Sequence, residues 1–246
     1  RAPFLSRRSC AEPCGRCART RGVAEFSKSI VIGASGGIGG ALTRALTKRG
    51  GKTIGLSRST DGLDLRDEAS VMRAAATHAD AANLVIVATG ALEAAGRRPE
   101  KSFGELHPQA LLAAFETNTL GPAMAYKHFA PMMARSGRTV FAFLSARIGS
   151  IGDNRLGGWM SYRASKAALN QIIRCAAIES ARANPEAIVI ALHPGTIDTA
   201  MTRAYARSRY TASADECAAM LLKRIDEAEP SMSGAFIAYD GARIAW

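Results

Sequence analysis

Tyr162 and Lys166 stand four residues apart within residues 159–170. On a helix, positions i and i+4 share a face, so the two side chains would project side by side. A phenol beside an ammonium has a chemical use. A free tyrosine ionises near pH ~10, so its phenolate is scarce at neutral pH. A positive charge ~4 Å away favours the phenolate by up to ~4 kcal/mol at an effective dielectric of ~20, which is roughly 3 pKa units. A tyrosine tuned in this way serves as a general acid or base near neutrality. The same spacing also arises by chance on ordinary amphipathic helices, so the elements around it decide its meaning.

The helix itself is well supported. No Pro or Gly falls between 159 and 184, and apolar residues recur at helical spacing through Ala167, Leu169, Ile172, Ile173, Ala176 and Ala177. Earlier in the chain, residues 29–33 form a short apolar, β-branched run. It leads into a turn holding Gly33, Ser35, Gly37, Ile38 and Gly39, and then into a helical pattern over 41–48. Strand, glycine turn and helix are the context of a dinucleotide site. Glycines admit a pyrophosphate to the backbone, and the helix N-terminus offers free N–H groups. A second strand, 53–56, ends in Ser57, Arg58 and Ser59. An acid at this strand end usually meets a free ribose 2′-hydroxyl. Arg58 can instead fork onto a 2′-phosphate, which points to NADP(H) over NAD(H). Asp61 could still serve a ribose if its loop folds back.

The remaining elements follow in alternation. Residues 63–65 read as a short third strand, with Asp64 able to accept from an adenine amine or to cap the helix after it, and with Leu65 alongside. A helix over 67–79 precedes a buried strand at 83–88, which ends in Thr89 and Gly90, where a glycine suits close approach of a cofactor. A loop at 91–104 precedes helices at 108–117 and 120–135. Asn118 sits at their junction, where an amide can interrupt or cap helical bonding. A strand at 137–144 delivers Ser145 at its end. Another at 187–192 is followed by His193, Pro194, Gly195 and Thr196. Residues 200–211 form a polar, arginine-rich flap, and a helix at 213–227 leads to a last strand at 235–238. The pattern predicts one Rossmann-like α/β domain, a doubly wound parallel sheet of about seven strands with helices on both faces. Ligands of such sheets sit at the carboxyl ends of the strands.

Bulk properties exclude several classes. The chain has 246 residues, 48% of them hydrophobic and 22% charged. No run of ~18 apolar residues predicts a membrane span. The formal charge is +11, but residues 1–28 carry seven basic and two acidic residues and so account for +5 of it. No basic stripe is interleaved with aromatics, which argues against nucleic acid. Cys10, Cys14 and Cys17 could ligate zinc, but no fourth ligand of matching spacing lies nearby, so no metal is expected. With Cys175 and Cys217 they make an odd set that does not suggest a disulfide framework. Residues 1–27, rich in Arg and Ser, read as a leader, either disordered or a plastid or mitochondrial transit peptide. The domain is then 28–246, cytoplasmic unless the leader targets an organelle.

The glycine turn from Gly33 to Gly39, Asn118, a serine after the fifth strand, Tyr162 with Lys166, and Pro194-Gly195 occur together in one order. In this the chain resembles the short-chain dehydrogenases/reductases, and the segments around Ser145–Asn154, Tyr162–Lys166 and His193–Thr196 resemble a carbonyl-reductase subgroup. The resemblance implies a catalytic set of Tyr162, Lys166, Ser145 and Asn118. Tyr162 would be the general acid in NADPH-dependent reduction of an aldehyde or ketone. Lys166 would lower its pKa and hold the nicotinamide ribose, Asn118 would position a relay water, and a serine would hydrogen-bond the substrate carbonyl. It also implies a cofactor contact from Thr196 and a homo-oligomer, dimer or tetramer. Two departures stand out. The family usually carries two consecutive serines after the fifth strand, with the second catalytic; here the pair is Ser145-Ala146, leaving Ser145 or Ser150 for the role. Ala88-Thr89-Gly90 replaces the more usual Asn-Ala-Gly. An NADP-binding regulatory protein of the same fold, with little turnover, is the alternative.

Overall fold

The computed structural model describes residues 26–78, 81–206 and 210–246. Six parallel strands form one sheet: β1 (Lys28–Ile32), β2 (Lys52–Leu56), β3 (Leu84–Val87), β4 (Thr139–Leu144), β5 (Ala187–His193) and β6 (Phe236–Ala238), in the spatial order β2-β1-β3-β4-β5-β6. The central strands β1, β3 and β4 are buried along their whole length because both faces are covered. One face, with Ile30, Ile32, Phe141, Phe143 and Val189, packs on α3 (Glu68–Thr77), α5 (Gly121–Phe129) and α6 (Met160–Ala183). The other face, with Val31, Val140, Ala142, Ile188 and Ile190, packs on α1 (Gly37–Lys48) and α7 (Ala214–Glu227). Alternate residues of each strand thus feed opposite cores, as the two-residue period requires.

Among the described residues the strand count is six where the sequence pattern predicts about seven. Residues 63–65 are not a strand. Leu63 and Leu65 are buried as a strand's would be, but the backbone bonds locally: the Asp64 amide donates to the Ser70 hydroxyl (3.0 Å), which donates in turn to the Gly62 carbonyl (2.9 Å). The segment is tied to the start of α3 rather than to a neighbouring strand. Ser57 caps a short helix, α2 (Arg58–Asp61), accepting from the Thr60 amide.

Two residues read as leader belong to the domain. Phe26 is buried in the core beneath α1 and α7, with the Arg138 guanidinium 5.2 Å over its ring. The Ser27 carbonyl accepts from Lys52. Residues 1–25, including Cys10, Cys14 and Cys17, lie outside the described residues, as does part of the 200–211 flap. Among the described residues no helix is long and apolar enough to cross a membrane, and no cluster of His, Cys, Asp and Glu could hold a metal ion.

The candidate helices at 108–117 and 120–135 are α4 (Pro108–Phe115) and α5, joined without a break by a π-helical turn over Glu116–Leu120. Asn118 lies at its centre, fully buried. A π turn widens the helix by one residue, and such turns concentrate at functional sites.

Candidate active site

Strands β1 and β3 leave the sheet side by side, and the chain turns in opposite directions from them. A crevice opens at their carboxyl ends, the expected ligand position in such a sheet. A cavity of about 600 Å³ lies there. Its first wall is the glycine turn: Gly33, Ser35, Gly37 and Ile38 line it. Gly33 has φ +93, and a Cβ there would stand 2.8 Å from the Ala88 carbonyl oxygen. At Gly39, behind the wall, a Cβ would stand 2.1 Å from the Gly33 carbonyl oxygen, so only glycine lets α1 begin this close to the turn. The α1 N-cap is Gly36, which offers no side-chain cap, and the first turn holds no acid. The orphan N–H groups of that turn and its positive dipole end suit an anion.

The second wall comes from β2 and the segment after it. Ser57, Arg58, Asp64, Leu65 and Arg66 line it. Arg58 is exposed and forms no ion pair among the described residues. Asp61 is turned away: its Oδ2 accepts from the Ser57 amide at 3.1 Å. Ser59 meets the Ser57 hydroxyl at 3.2 Å instead of lining the cavity. The Asp64 carboxylate accepts from the backbone and the guanidinium of Arg66, which holds its pKa down at about 2.

The third wall carries the chemistry. Thr89, Gly90, Ser145, Ala146, Tyr162, His193, Pro194 and Gly195 line it. The Thr89 hydroxyl oxygen is buried with no hydrogen-bond partner among the described residues, an orphan group that a bound molecule can satisfy. Tyr162 projects from the first turn of α6. That turn is fixed by Glu100, a buried carboxylate from the 91–104 loop that accepts from both the Ser161 amide (3.2 Å) and the Ser161 hydroxyl. An acid at a helix N-terminus also complements the dipole. Trp159, the N-cap, adopts φ 54, and its amide donates to the Glu100 carbonyl at 2.5 Å. The Trp159 ring meets Tyr205 of the flap edge-on, at 5.6 Å between centroids, and the Tyr205 hydroxyl donates to Glu93. Flap and loop are thereby latched together beside the cavity.

Lys166 and Asn118 stand one layer behind. The Lys166 ammonium donates to the Leu144 carbonyl at 3.0 Å, and a Cβ on Gly90 would lie 3.3 Å from both Lys166 Nζ and Asn118 Oδ1. Asn118 clamps the Ala91 peptide from both sides, accepting from its N–H (2.8 Å) and donating to its carbonyl (2.9 Å), and also donates to Ser165 (3.1 Å). Thr196 is exposed, its amide donating to the Thr211 hydroxyl.

The electrostatics differ from the expectation that Lys166 lowers the Tyr162 pKa. Burial pushes Tyr162 up to about 12 and Lys166 down to about 8. Each charged form loses water in the interior, and the ammonium is turned to the Leu144 carbonyl. Burial also pushes His193 down to about 4, helped by the nearby Arg147, so its ring is neutral at pH 7. Ser145 lines the cavity, but its hydroxyl donates to Asn170 Oδ1 at 2.6 Å. Ser150 is buried, its oxygen accepting from the Asp153 amide at 3.1 Å.

Sequence reasoning missed Arg66, His193, Thr199 and Thr202, which line the cavity, and Glu100, which supports it. His193 was in plain view at the end of β5, where the carboxyl-end rule of parallel sheets could have found it. Glu100 had no such signal, since it meets Ser161 from 61 residues away.

A family model described as short chain dehydrogenase matches residues 28–209. A curated relative, 1-hydroxy-2-glutathionyl-2-methyl-3-butene dehydrogenase of Rhodococcus sp. (strain AD45), is 28% identical over 230 residues, which is 90% of this chain and 100% of that protein. Among solved structures, the carbonyl reductase Sniffer of D. melanogaster superposes with a TM-score of 0.76 at 22% identity, covering 90% of this chain and 100% of its own. The NADPH-bound carbonyl reductase from chicken fatty liver gives a TM-score of 0.77 at 24% identity, covering 92% and 98%. These two likenesses show a common fold.

Proposed function

The chain belongs to the short-chain dehydrogenase family, and from that membership we propose that it is an NADPH-dependent reductase of an aldehyde or ketone. The observation that carries the reading is convergence: the glycine turn, the unpaired Arg58 and the phenol of Tyr162 face one cavity. The cradle fits a dinucleotide phosphate. Gly33 and the uncapped start of α1 would hold the pyrophosphate, Arg58 the 2′-phosphate, and the Thr89 hydroxyl offers a further polar contact. The cofactor supplies the hydride.

The chain's own part is acid catalysis and positioning. Tyr162 gives its phenolic proton to the carbonyl oxygen as that oxygen gains negative charge. A pKa near 12 keeps the phenol protonated through the neutral range, the form an acid requires. Lys166 supplies a fixed positive charge beneath Gly90, favouring negative charge that develops above it. Asn118 holds the Ala91 peptide, and with it the cavity wall, in one position. A weakly active NADP-binding regulator is favoured by one observation, the Ala146 methyl where the family carries a serine.

The test joins binding to turnover. NADPH and NADH are titrated by fluorescence against the wild type and Arg58→Ala, and NADPH oxidation is followed with a panel of aldehydes, ketones and quinones. The expected result is tighter binding of NADPH than NADH, with Arg58→Ala weakening NADPH alone by about ten- to a hundredfold, the loss of a charge-assisted contact. Tyr162→Phe should bind NADPH and lose nearly all turnover. Tighter NADH binding in the wild type would sink the cofactor assignment. A panel inert with the wild type favours the regulator.

A further inference from the structure

Carbonyl reduction places negative charge on the substrate oxygen, and Tyr162 is one donor to it. The family resemblance supplies a second from a serine, and neither Ser145 nor Ser150 presents a free donor to the cavity. Ala146, on the cavity wall, offers a methyl. The Ser145 proton is engaged by Asn170, with the residue only 3% exposed. Ser150 is 1% exposed and does not line the cavity.

The same wall holds His193, the last residue of β5. The chain after β4 runs beside it, with the Ser145 amide donating to the Leu192 carbonyl at 2.9 Å. The next amide but one, that of Arg147, faces His193 Nδ1 at 3.4 Å. Nδ1 is therefore the acceptor, and in a neutral ring the proton sits on Nε2. No protein group among the described residues accepts from Nε2, and this nitrogen is not among the buried unsatisfied atoms. The free donor of the ring is accessible, and His193 is one of the residues that line the cavity.

We propose that His193 Nε2–H donates a hydrogen bond to the substrate carbonyl oxygen, taking the place of the serine that Ala146 replaces. The inference rests on the reductase reading and deepens it. The carbonyl carbon gains the hydride, the oxygen gains the Tyr162 proton, and His193 keeps its own proton throughout. A neutral imidazole suits this role: it polarises the oxygen without competing as the acid. Its ordinary ionisation would make it a cation in mild acid, and burial prevents that.

The experiment compares wild type, His193→Ala, His193→Gln, Ala146→Ser and the double variant Ala146→Ser/His193→Ala, with NADPH oxidation on the carbonyl panel and NADPH affinity measured for each. His193→Ala should lose about 10²–10³ in kcat, the usual effect of removing one such donor, with NADPH affinity within about twofold. His193→Gln, which keeps an N–H, should lose less. The serine of the double variant should restore at least about tenfold of the loss. If His193→Ala disturbs folding, seen as lost NADPH binding, His193→Phe keeps a ring of similar size without the donor and decides the matter by the same kcat criterion. A wild type that turns over while the donor-free variant stays within about threefold of its kcat overturns the His193 assignment and leaves the reductase standing. So does a double variant that recovers nothing. A wild type inert on the whole panel removes the reductase reading and His193 with it.

Discussion

Burial acts on Tyr162 and Lys166 in opposite senses, and the signs fix a pH dependence. Reduction needs the phenol, which is present below its pKa and lost above it. With Tyr162 near 12, that form persists through the neutral range. Lysine charge is likewise present below its pKa and lost above, and for Lys166 the boundary is about 8. Reduction should therefore hold level from pH 6 to about 7 and fall as the pH rises through about 8, with the fall belonging to Lys166. Oxidation of the product alcohol needs the phenolate as base, whose fraction climbs about tenfold per pH unit below its pKa. Initial rates measured in both directions across pH 6–9 check this; an oxidation rate that is flat or declines from pH 6 to 8 would contradict the assignment of Tyr162 as its base. The pairing of Tyr162 and Lys166 on one helix was legible from spacing alone. Their ionisation was not, because i, i+4 spacing says nothing of the burial that shifts both groups.

At the scale of elements, what could be read was what local pattern dictates. The absence of Pro and Gly between 159 and 184 predicts one long helix, and α6 spans Met160–Ala183. The Ser213 start of α7 carries a capping box with Glu216, a local signature. What could not be read was set by tertiary bonds. Residues 63–65 bury two leucines in the alternation of a strand, yet their backbone is claimed by Ser70 and Gly62. Asn118 was placed at a helix junction from sequence, but the widened π turn and its clamp on Ala91 depend on partners 27 and 47 residues away. The clamp has a measurable worth. Asn118→Ala leaves the Ala91 N–H and carbonyl without their partner, each at about 1–3 kcal/mol if no water enters, while the Ser165 hydroxyl keeps its bond to the Tyr162 carbonyl. Urea unfolding should show a lower midpoint at unchanged slope, and a shift equivalent to less than about 1 kcal/mol would show the π turn to be held by something else.

For the whole molecule, the boundary of the domain begins earlier than composition suggests. An arginine- and serine-rich stretch obscures where packing starts, and its composition takes in Phe26, which is buried in the core under the Arg138 guanidinium. Phe26→Ala should cost about 3–5 kcal/mol, the range for emptying a buried phenylalanine site, read as a lowered urea midpoint. A loss under about 1 kcal/mol would return Phe26 to the leader. The strand order has a different kind of consequence, one of time rather than of energy. β2 pairs with β1, β3 with the other edge of β1, and then β4, β5 and β6 each add to the strand made just before. A chain emerging from a ribosome, N-terminus first, therefore finds the docking edge for every new strand already synthesised. No strand has to wedge between two that have already paired, and the ligand crevice between β1 and β3 exists before the helix that carries Tyr162 has been made. The growing sheet keeps one edge open for its next strand, and the three-residue β6 is the last of the described strands to add there.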